Sequence, residues 1–395
     1  MRAGPSQDEI RRQNLGALLR LVHLRGAMSR AELTTRLGLN RSTIGALTAD
    51  LTSAGLVTER APRETGRAGR PSLVVSPSSE RAYAYAISIE VDQLRAARVG
   101  LGGVVLDRRR AARPPGRTGV AAVQPVAGFV AEMHAAATGG TRCIGSGVAV
   151  GGRVRAAEGA IELSAGAAKL DAPLRAALGA ALRDDRPVTV AAAADLAALA
   201  EHARGVAAGC DTVLYLHGDA GITAGVIAGG RRVTGAGGYG GEVGHMVVRP
   251  GGRRCSCGSA GCWETEIGEH ALLRAAGGRG GAGRPAVLAL VDAASRGDAA
   301  AQLAVRQVGD WLGFGVANLV NIFNPEMVIF GGMLREIYLA AAASVRSRLR
   351  LMVLPGWRGR LRLRTPALGD DAALIGAAEL AFERLLADPL DAGAA

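Results

Sequence analysis

Apolar residues at Leu15, Leu18, Leu19 and Val22 recur at i, i+3, i+4 and i+7, the period of one helix face. Ser29-Arg30-Ala31-Glu32 then has the form of a capping box: the serine oxygen accepts from the Glu32 N–H, and the Glu32 carboxylate reaches back. The helix it opens turns Leu33 and Leu37 inward and stops at Gly38. Asn40 is placed to cap a third helix, with Ile44, Leu47 and Leu51 on its apolar face and Gly55 at its end. The pattern then shortens. Leu56–Arg60 and Leu73–Val75 predict paired strands across a Gly-, Pro- and Arg-rich loop at 61–71, and Ser76–Glu80 predicts a linker.

This order predicts an α+β winged helix-turn-helix over residues 1–80, with the tight turn at Gly38-Leu39-Asn40. In such a motif the start of the second helix enters the major groove of duplex DNA. Arg41, Ser42, Thr43 and Thr48 are then the expected contacts, arginine for guanine or phosphate and the hydroxyls for either. Arg67 and Arg70, on glycine supports at the hairpin tip, suit a narrow minor groove. The plainer alternative is a helical bundle with a basic loop. Cap, turn, apolar spacing and hairpin agree better with the DNA reading.

From residue 81 onward, strand-like runs at Ala84–Ile89, Val104–Leu106, Val213–Leu216 and Met327–Phe330 alternate with helix-like runs at Ala127–Ala137 and Ala191–Ala203. Interleaved strands and helices indicate an α/β body over 81–395.

Charge strengthens the reading of the head. The chain of 395 residues carries a net charge of +12, almost all from arginine, since Lys169 is its single lysine. Residues 1–80 hold twelve arginines against seven carboxylates, which suits phosphate contact. An arginine-rich codon bias would raise the charge of the whole chain without any such partner. No leader is expected from the N-terminal sequence. No apolar run is long enough for a bilayer span, because Trp311–Gly332 is interrupted by Asn318, Asn321, Asn324 and Pro325. Five cysteines, an odd number with three crowded together, argue against a secreted disulfide framework and for a cytoplasmic setting.

The crowded three are the sharpest signal. His245 is followed by Cys255, Cys257 and Cys262, one imidazole and three thiols in a short span. This donor set suits tetrahedral zinc, and four protein ligands leave no open position, so the site is expected to be structural. Cys143 and Cys210 lie in apolar surroundings and are expected to be ordinary core residues.

Gly241-Glu242-Val243-Gly244-His245, Cys255-Ser256-Cys257-Gly258-Ser259-Ala260-Gly261-Cys262-Trp263-Glu264, the glycine-rich stretch 221–241 and Asn324–Gly332, together with the winged head, resemble the ROK family of repressors and sugar kinases. The resemblance implies an actin-like ATPase (ribonuclease H-like) body of two lobes, one of about 81–190 plus the C-terminal helix and the other of about 191–370. It implies that His245, Cys255, Cys257 and Cys262 hold the zinc, and it places Glu242, His245 and Glu264 where the family's kinases contact a sugar.

The departures bear on activity. A family kinase opens its body with Asp-x-Gly-Gly-Thr; here the matching stretch is Glu90-Val91-Asp92-Gln93-Leu94. The second phosphate loop, Gly-x-Gly-x-Gly in kinases, is Asp219-Ala220-Gly221-Ile222-Thr223. Lost glycines keep backbone N–H groups from a phosphate, and added carboxylates repel it. The kinase segment Glu-Asn-Asp-Ala-Asn reads Ala191-Ala192-Ala193-Ala194-Asp195, so Ala193 replaces the general base and Ala192 a sugar-binding amide. The expectation is therefore a non-enzymatic transcriptional regulator, a repressor by resemblance. It is expected to bind an inverted-repeat operator as a homodimer or homotetramer and to sense a sugar-like effector. Two alternatives stay open: a sugar kinase that also binds DNA, and a ligand-independent dimeric DNA-binding protein.

Overall fold

The computed structural model describes residues 6–62, 72–90, 92–113, 120–137, 139–155, 160–163, 171–182, 186–219, 221–278 and 283–390. They fall into two compact units. One comprises 1–149, 169–190 and 377–395; the other comprises 150–168 and 191–376.

The first unit begins with α1 (Gln7–Arg25), β1 (Met28–Ser29), α2 (Arg30–Leu37), α3 (Arg41–Ser53), β2 (Val57–Arg60) and β3 (Val74–Pro77). A capping box at Ser6 and Glu9, not singled out in the sequence, starts α1 a turn or more before its first apolar position. The boxes and caps read from sequence are formed. Ser29 and Glu32 bond reciprocally, Asn40 Oδ1 accepts from the Thr43 N–H at 2.8 Å, and Gly38 is left-handed at φ 66°. The three strands form one antiparallel sheet in the order β1-β3-β2. Leu18, Leu19, Val22, Leu33, Ile44, Leu51 and Val75 are fully buried beneath it. Arg11–Asp50 at 2.6 Å ties α1 to α3, and Arg30 grips Glu59 through two bonds of 2.6 and 2.5 Å.

The same unit continues through β4 (Ala82–Ile89), β5 (Gln93–Gly100), β6 (Val104–Ala112), α4 (Val120–Ala135), β7 (Arg142–Val150), α5 (Asp171–Leu182) and β10 (Val188–Ala192). The five strands form a sheet in the order β10-β7-β4-β5-β6. Every residue of β4 is buried, as a strand covered on both faces requires.

The C-terminal helix α13 (Ala372–Ala387) packs on α1. His23, wholly buried, lies 3.0 Å from Glu379 through Nε2, and its Nδ1 accepts the Gly102 N–H at 2.8 Å. A ring nitrogen that accepts from a backbone amide carries no proton, so Nε2–H is the donor to Glu379. Gly16 lets the two helices meet, because a Cβ there would stand 2.7 Å from the Leu386 carbonyl oxygen. Helices α1 and α13 therefore share one buried joint, and the head clusters with this sheet rather than apart from it.

The second unit holds the hairpin β8 (Gly152–Arg155) and β9 (Ala160–Leu163), then α6 (Ala193–Arg204), β11 (Val213–Gly218), β12 (Ile222–Ala228) and β13 (Arg231–Arg232). After the motif loop come α7 (Glu264–Ile267), α8 (Glu269–Ala275), α9 (Arg284–Ser295), α10 (Ala299–Phe323), β14 (Met327–Gly332), α11 (Met333–Met352), α12 (Pro355–Arg358) and β15 (Arg362–Arg364). Its sheet runs β13-β12-β11-β14-β15; β11 is antiparallel to β12 and parallel to β14, and β14 is parallel to β15. Asp298 caps α10 and left-handed Asn324 (φ 46°) ends it. Trp263, fully buried, anchors the motif loop to α10 by donating to the Trp311 carbonyl at 2.8 Å. Among the described residues no helix is long and apolar enough to cross a membrane.

Candidate functional site

The head presents the start of α3. Arg41 and Ser42 are exposed and Thr43 is half-buried. Ser42 donates to Asn40 Oδ1 at 2.8 Å, and that oxygen also accepts the Thr43 N–H, so the cap and the exposed face share one residue. Thr48 is not on that face. It is fully buried, and its hydroxyl donates to the Ile44 and Gly45 carbonyls at 2.9 and 3.0 Å. A β-branched residue satisfied by its own helix packs as part of the core, which removes Thr48 from the surface that can meet DNA. Arg67 and Arg70 lie outside the described residues.

In the second unit a single helical turn, Val243–His245, sets Glu242 and His245 three residues apart. The chain then makes a knuckle. Cys255 N donates to the Ser259 carbonyl, Gly258 N returns to the Cys255 carbonyl, and bridges at Arg254–Ala260 and Val247–Cys262 close the loop. Gly261 takes φ 79°, and any side chain there would overlap the Arg249 carbonyl. The result gathers His245, Cys255, Cys257 and Cys262, whose ligand atoms all lie within 4.8 Å of one another. Cys257 Sγ and Cys262 Sγ are 3.6 Å apart, as are Cys255 Sγ and His245 Nδ1. Two sulfurs at that distance share no disulfide. Sulfur and nitrogen ligands on a tetrahedral ion stand about 3.5–4 Å apart, so the cluster fits a four-coordinate metal.

The carboxylates surround this cluster. His245 turns Nδ1 toward Cys255 and Nε2 toward Glu242, at 3.6 Å. A carboxylate on the far nitrogen is the arrangement that orients a metal-binding imidazole. Glu264, at the start of α7, stands 3.8 Å from His245 Nδ1 and 2.8 Å from Cys255 Sγ. Burial pushes the Cys255 and Cys262 thiols up, while the Ser259 backbone hydrogen bond holds Cys257 down. Glu242, His245 and Glu264, expected together from sequence, are together. Cys143 and Cys210 are buried and are not part of the cluster.

The stretches that match kinase loops carry other chemistry. Glu90 accepts from Ser88 and pairs with Arg95, and Val91 is outside the described residues. Asp219 lies 2.7 Å from His217 Nε2. Burial alone would raise its pKa, but His217, Arg284 and the Met333 N–H outweigh burial and hold it below the usual carboxylate value. Ala192 stands at the N-cap of α6 with no side-chain bond to the helix, and Ala193, its first residue, is buried.

In sequence Asp195 stands two residues beyond the kinase base position and is set aside as a replacement base, because the downstream register holds without a shift; the fold nevertheless brings it near Glu242 and Arg232. It sits buried in the first turn of α6, where burial first, then Glu242, push its pKa up to about 7 against the pull of Arg232. An acid whose folded pKa exceeds its unfolded 3.8 stabilises the fold fully below pH 3.8, and that contribution is lost as pH rises through about 7. Asp195→Asn should therefore melt like the parent near pH 4 and above it at pH 8, by on the order of a few kcal/mol. Thermal melts across that range check it; a difference constant with pH would show that Asp195 is not the titrating group.

Comparison with known proteins gives one answer. The sequence profile of the ROK family matches residues 84–384. The chain is 26% identical over 383 residues to the xylose repressor of Bacillus spizizenii, covering 96% of this chain and 97% of that one. In fold it is similar to a crystal structure of a ROK family transcriptional regulator, a homologue of the Escherichia coli MLC protein (TM-score 0.78, 26% identity, 97% of this chain and 98% of that one). It is also similar to a ROK family glucokinase from Streptomyces griseus in complex with glucose and AMPPNP (TM-score 0.61, 27% identity, 75% of this chain and 98% of that one). The first likeness spans the head and the body. The second covers three quarters of the chain. The α/β body has the actin-like fold of these neighbours.

Proposed function

The chain belongs to the ROK family, and from that membership we propose that it is a DNA-binding repressor whose body senses a sugar-like molecule and does not phosphorylate it. The observation that carries this is a selective loss. Glu242, His245 and Glu264 stand together, while the kinase base position is Ala193 and an ionised Asp219 occupies a phosphate loop. A methyl group accepts no proton, and a positioned base is worth roughly 10²–10⁴-fold in phosphoryl transfer. Three sugar-facing positions are kept although the amide at Ala192 is gone, so part of the recognition site outlives the base.

Residues 6–77 act in this reading as a winged helix-turn-helix, with Arg41, Ser42 and Thr43 meeting the major groove and Arg67 and Arg70 the minor. His245, Cys255, Cys257 and Cys262 would hold a structural zinc, which would supply the charge that ties the knuckle together, while His245 links the cluster to Glu242 and Glu264.

The test is operator binding by the full chain, titrated with hexoses, pentoses, amino sugars and their phosphates. One class of sugar should shift operator affinity by roughly 5–150-fold, the range of ordinary coupling energies. Glu264→Ala should abolish the shift and keep basal binding, and the effective sugar with ATP should show no turnover. A response that survives Glu264→Ala, or none to any sugar, would overturn the sensing site; ATP-dependent turnover would restore the kinase alternative.

A further inference from the structure

From Arg346 to Arg364 the sequence carries seven arginines and no carboxylate. Five of them converge. Arg346 and Arg350 lie one turn apart on α11, Arg358 ends α12, and Arg362 and Arg364 belong to β15. Together they rim a recess of about 390 Å³. Its floor is apolar, made by Leu349, Val353, Leu361 and Leu363.

Three of the five guanidiniums are fixed. Arg358 Nε donates to the Val353 carbonyl at 2.6 Å, Arg362 to the buried Cys210 sulfur at 3.0 Å, and Arg364 to the Leu363 carbonyl at 3.0 Å. Each bond uses one of a guanidinium's five N–H groups and leaves the others to face outward. Of these five, only Arg362 has a carboxylate within 4.0 Å among the described residues, Glu326 at 3.7 Å. Arg348, by contrast, lines no part of the recess and pairs with Asp310 at 3.6 Å. Like charges held together without counter-charges repel, and a concave wall focuses their field. An anion relieves that cost.

We propose that this recess is a binding site for an organic polyphosphate of nucleoside di- or triphosphate size, with its phosphates on the arginine rim and its base on the leucine and valine floor. The guanidinium fork matches phosphate oxygens two at a time and is weakly hydrated, so it gives up little on binding. The volume falls within the range of small-molecule sites. The apolar floor separates this ligand from a DNA backbone, which presents sugar and phosphate and needs an open track. β15 is also the outer strand of its sheet, and charge on an edge strand discourages pairing with another chain. One or two lysines suffice for that task, and it needs neither a recess nor tethered guanidiniums. The site shares no residue with the stretches that match kinase phosphate loops, and it is independent of the sugar reading.

The experiment is direct binding of a fluorescent ATP analogue to the full zinc-loaded chain, with ATP, pyrophosphate, inorganic phosphate and adenosine as competitors. ATP should displace the probe best, pyrophosphate more weakly and adenosine hardly at all, and raising the salt from 50 to 200 mM should weaken binding. Arg350→Ala with Arg364→Ala, both exposed side chains, should weaken ATP by roughly tenfold or more. Arg348→Ala with Arg306→Ala removes the same two charges outside the recess and should leave binding unchanged. Thermal melts confirm that the variants fold. No binding of the probe at 50 mM salt, binding that ignores the double substitution, or equal weakening by Arg348→Ala with Arg306→Ala would each overturn the site. So would a double variant that keeps ATP and loses operator affinity, since the arginines would then be a second DNA surface.

Discussion

Exchanging Cys257 for serine is expected to strip zinc from the protein and to lower its melting temperature by many degrees. The position makes the test clean. Cys257 is exposed, so replacing sulfur by oxygen there removes no packing, whereas Cys255 and Cys262 are buried and their loss would mix metal with core. Structural zinc in small knuckles contributes about 10–16 kcal/mol of apparent binding free energy at neutral pH. Losing one of four ligands forfeits a large part of that. The consequence spreads, because the Val247–Cys262 bridge and the Trp263 anchor on α10 extend directly from the knuckle. Elemental analysis of the freshly purified chain should give one zinc per chain, and Cys257→Ser markedly less. A metal-free parent, or a variant that melts with the parent, would show that the cluster is four packed side chains and nothing more.

Arg41→Ala should weaken binding to the preferred operator by at least tenfold and relax the sequence preference at one position of each half-site. A well-formed arginine contact to a base edge is worth about 1–3 kcal/mol of discrimination, and a phosphate contact would instead weaken all sequences alike. Arg41 is the first residue of α3, exposed, and its helix is capped independently by Asn40, so the substitution leaves the motif intact. Deleting the head is a poorer test, since it would bare the face of α13 that seats α1 around Glu379. Gel-shift titration against a selected operator and a scrambled duplex measures both effects. Unchanged affinity for both would mean that α3 does not enter the groove, and the assignment of the head would fall.

Local signals carried the sequence reading where one residue speaks for its neighbours. Ser29 with Glu32, and Asn40 before Ile44, mark helix starts because capping is chemistry within four residues. The gathering of His245, Cys255, Cys257 and Cys262 was legible for the same reason, since the knuckle is closed by its own hydrogen bonds. Thr48 was misplaced because a threonine on a helix reads the same in sequence whether its hydroxyl meets a base or the carbonyl four residues back. The predicted strand Leu73–Val75 begins one residue later and runs to Pro77, so part of the expected linker is sheet. Asp195 beside Arg232 and Glu242, and His23 against Glu379, depend on contacts between distant segments, which no local pattern records. The arginine recess was hidden differently. In a chain with 47 basic residues one more arginine run is unremarked until two helices and a strand bring it to one place.

The joint between α1 and α13 also sets the order of events at birth. The two residues that meet there, His23 and Glu379, are separated by 356 positions. A ribosome adding about 5–20 residues per second makes the first on the order of tens of seconds before the second. Throughout that interval the head has its own small core but no seat, and Gly16 faces water where the Leu386 backbone will later lie. Helix α1 thus takes its final position only after α13 has been synthesised, and a chain terminated before α13 would carry a head that had never docked.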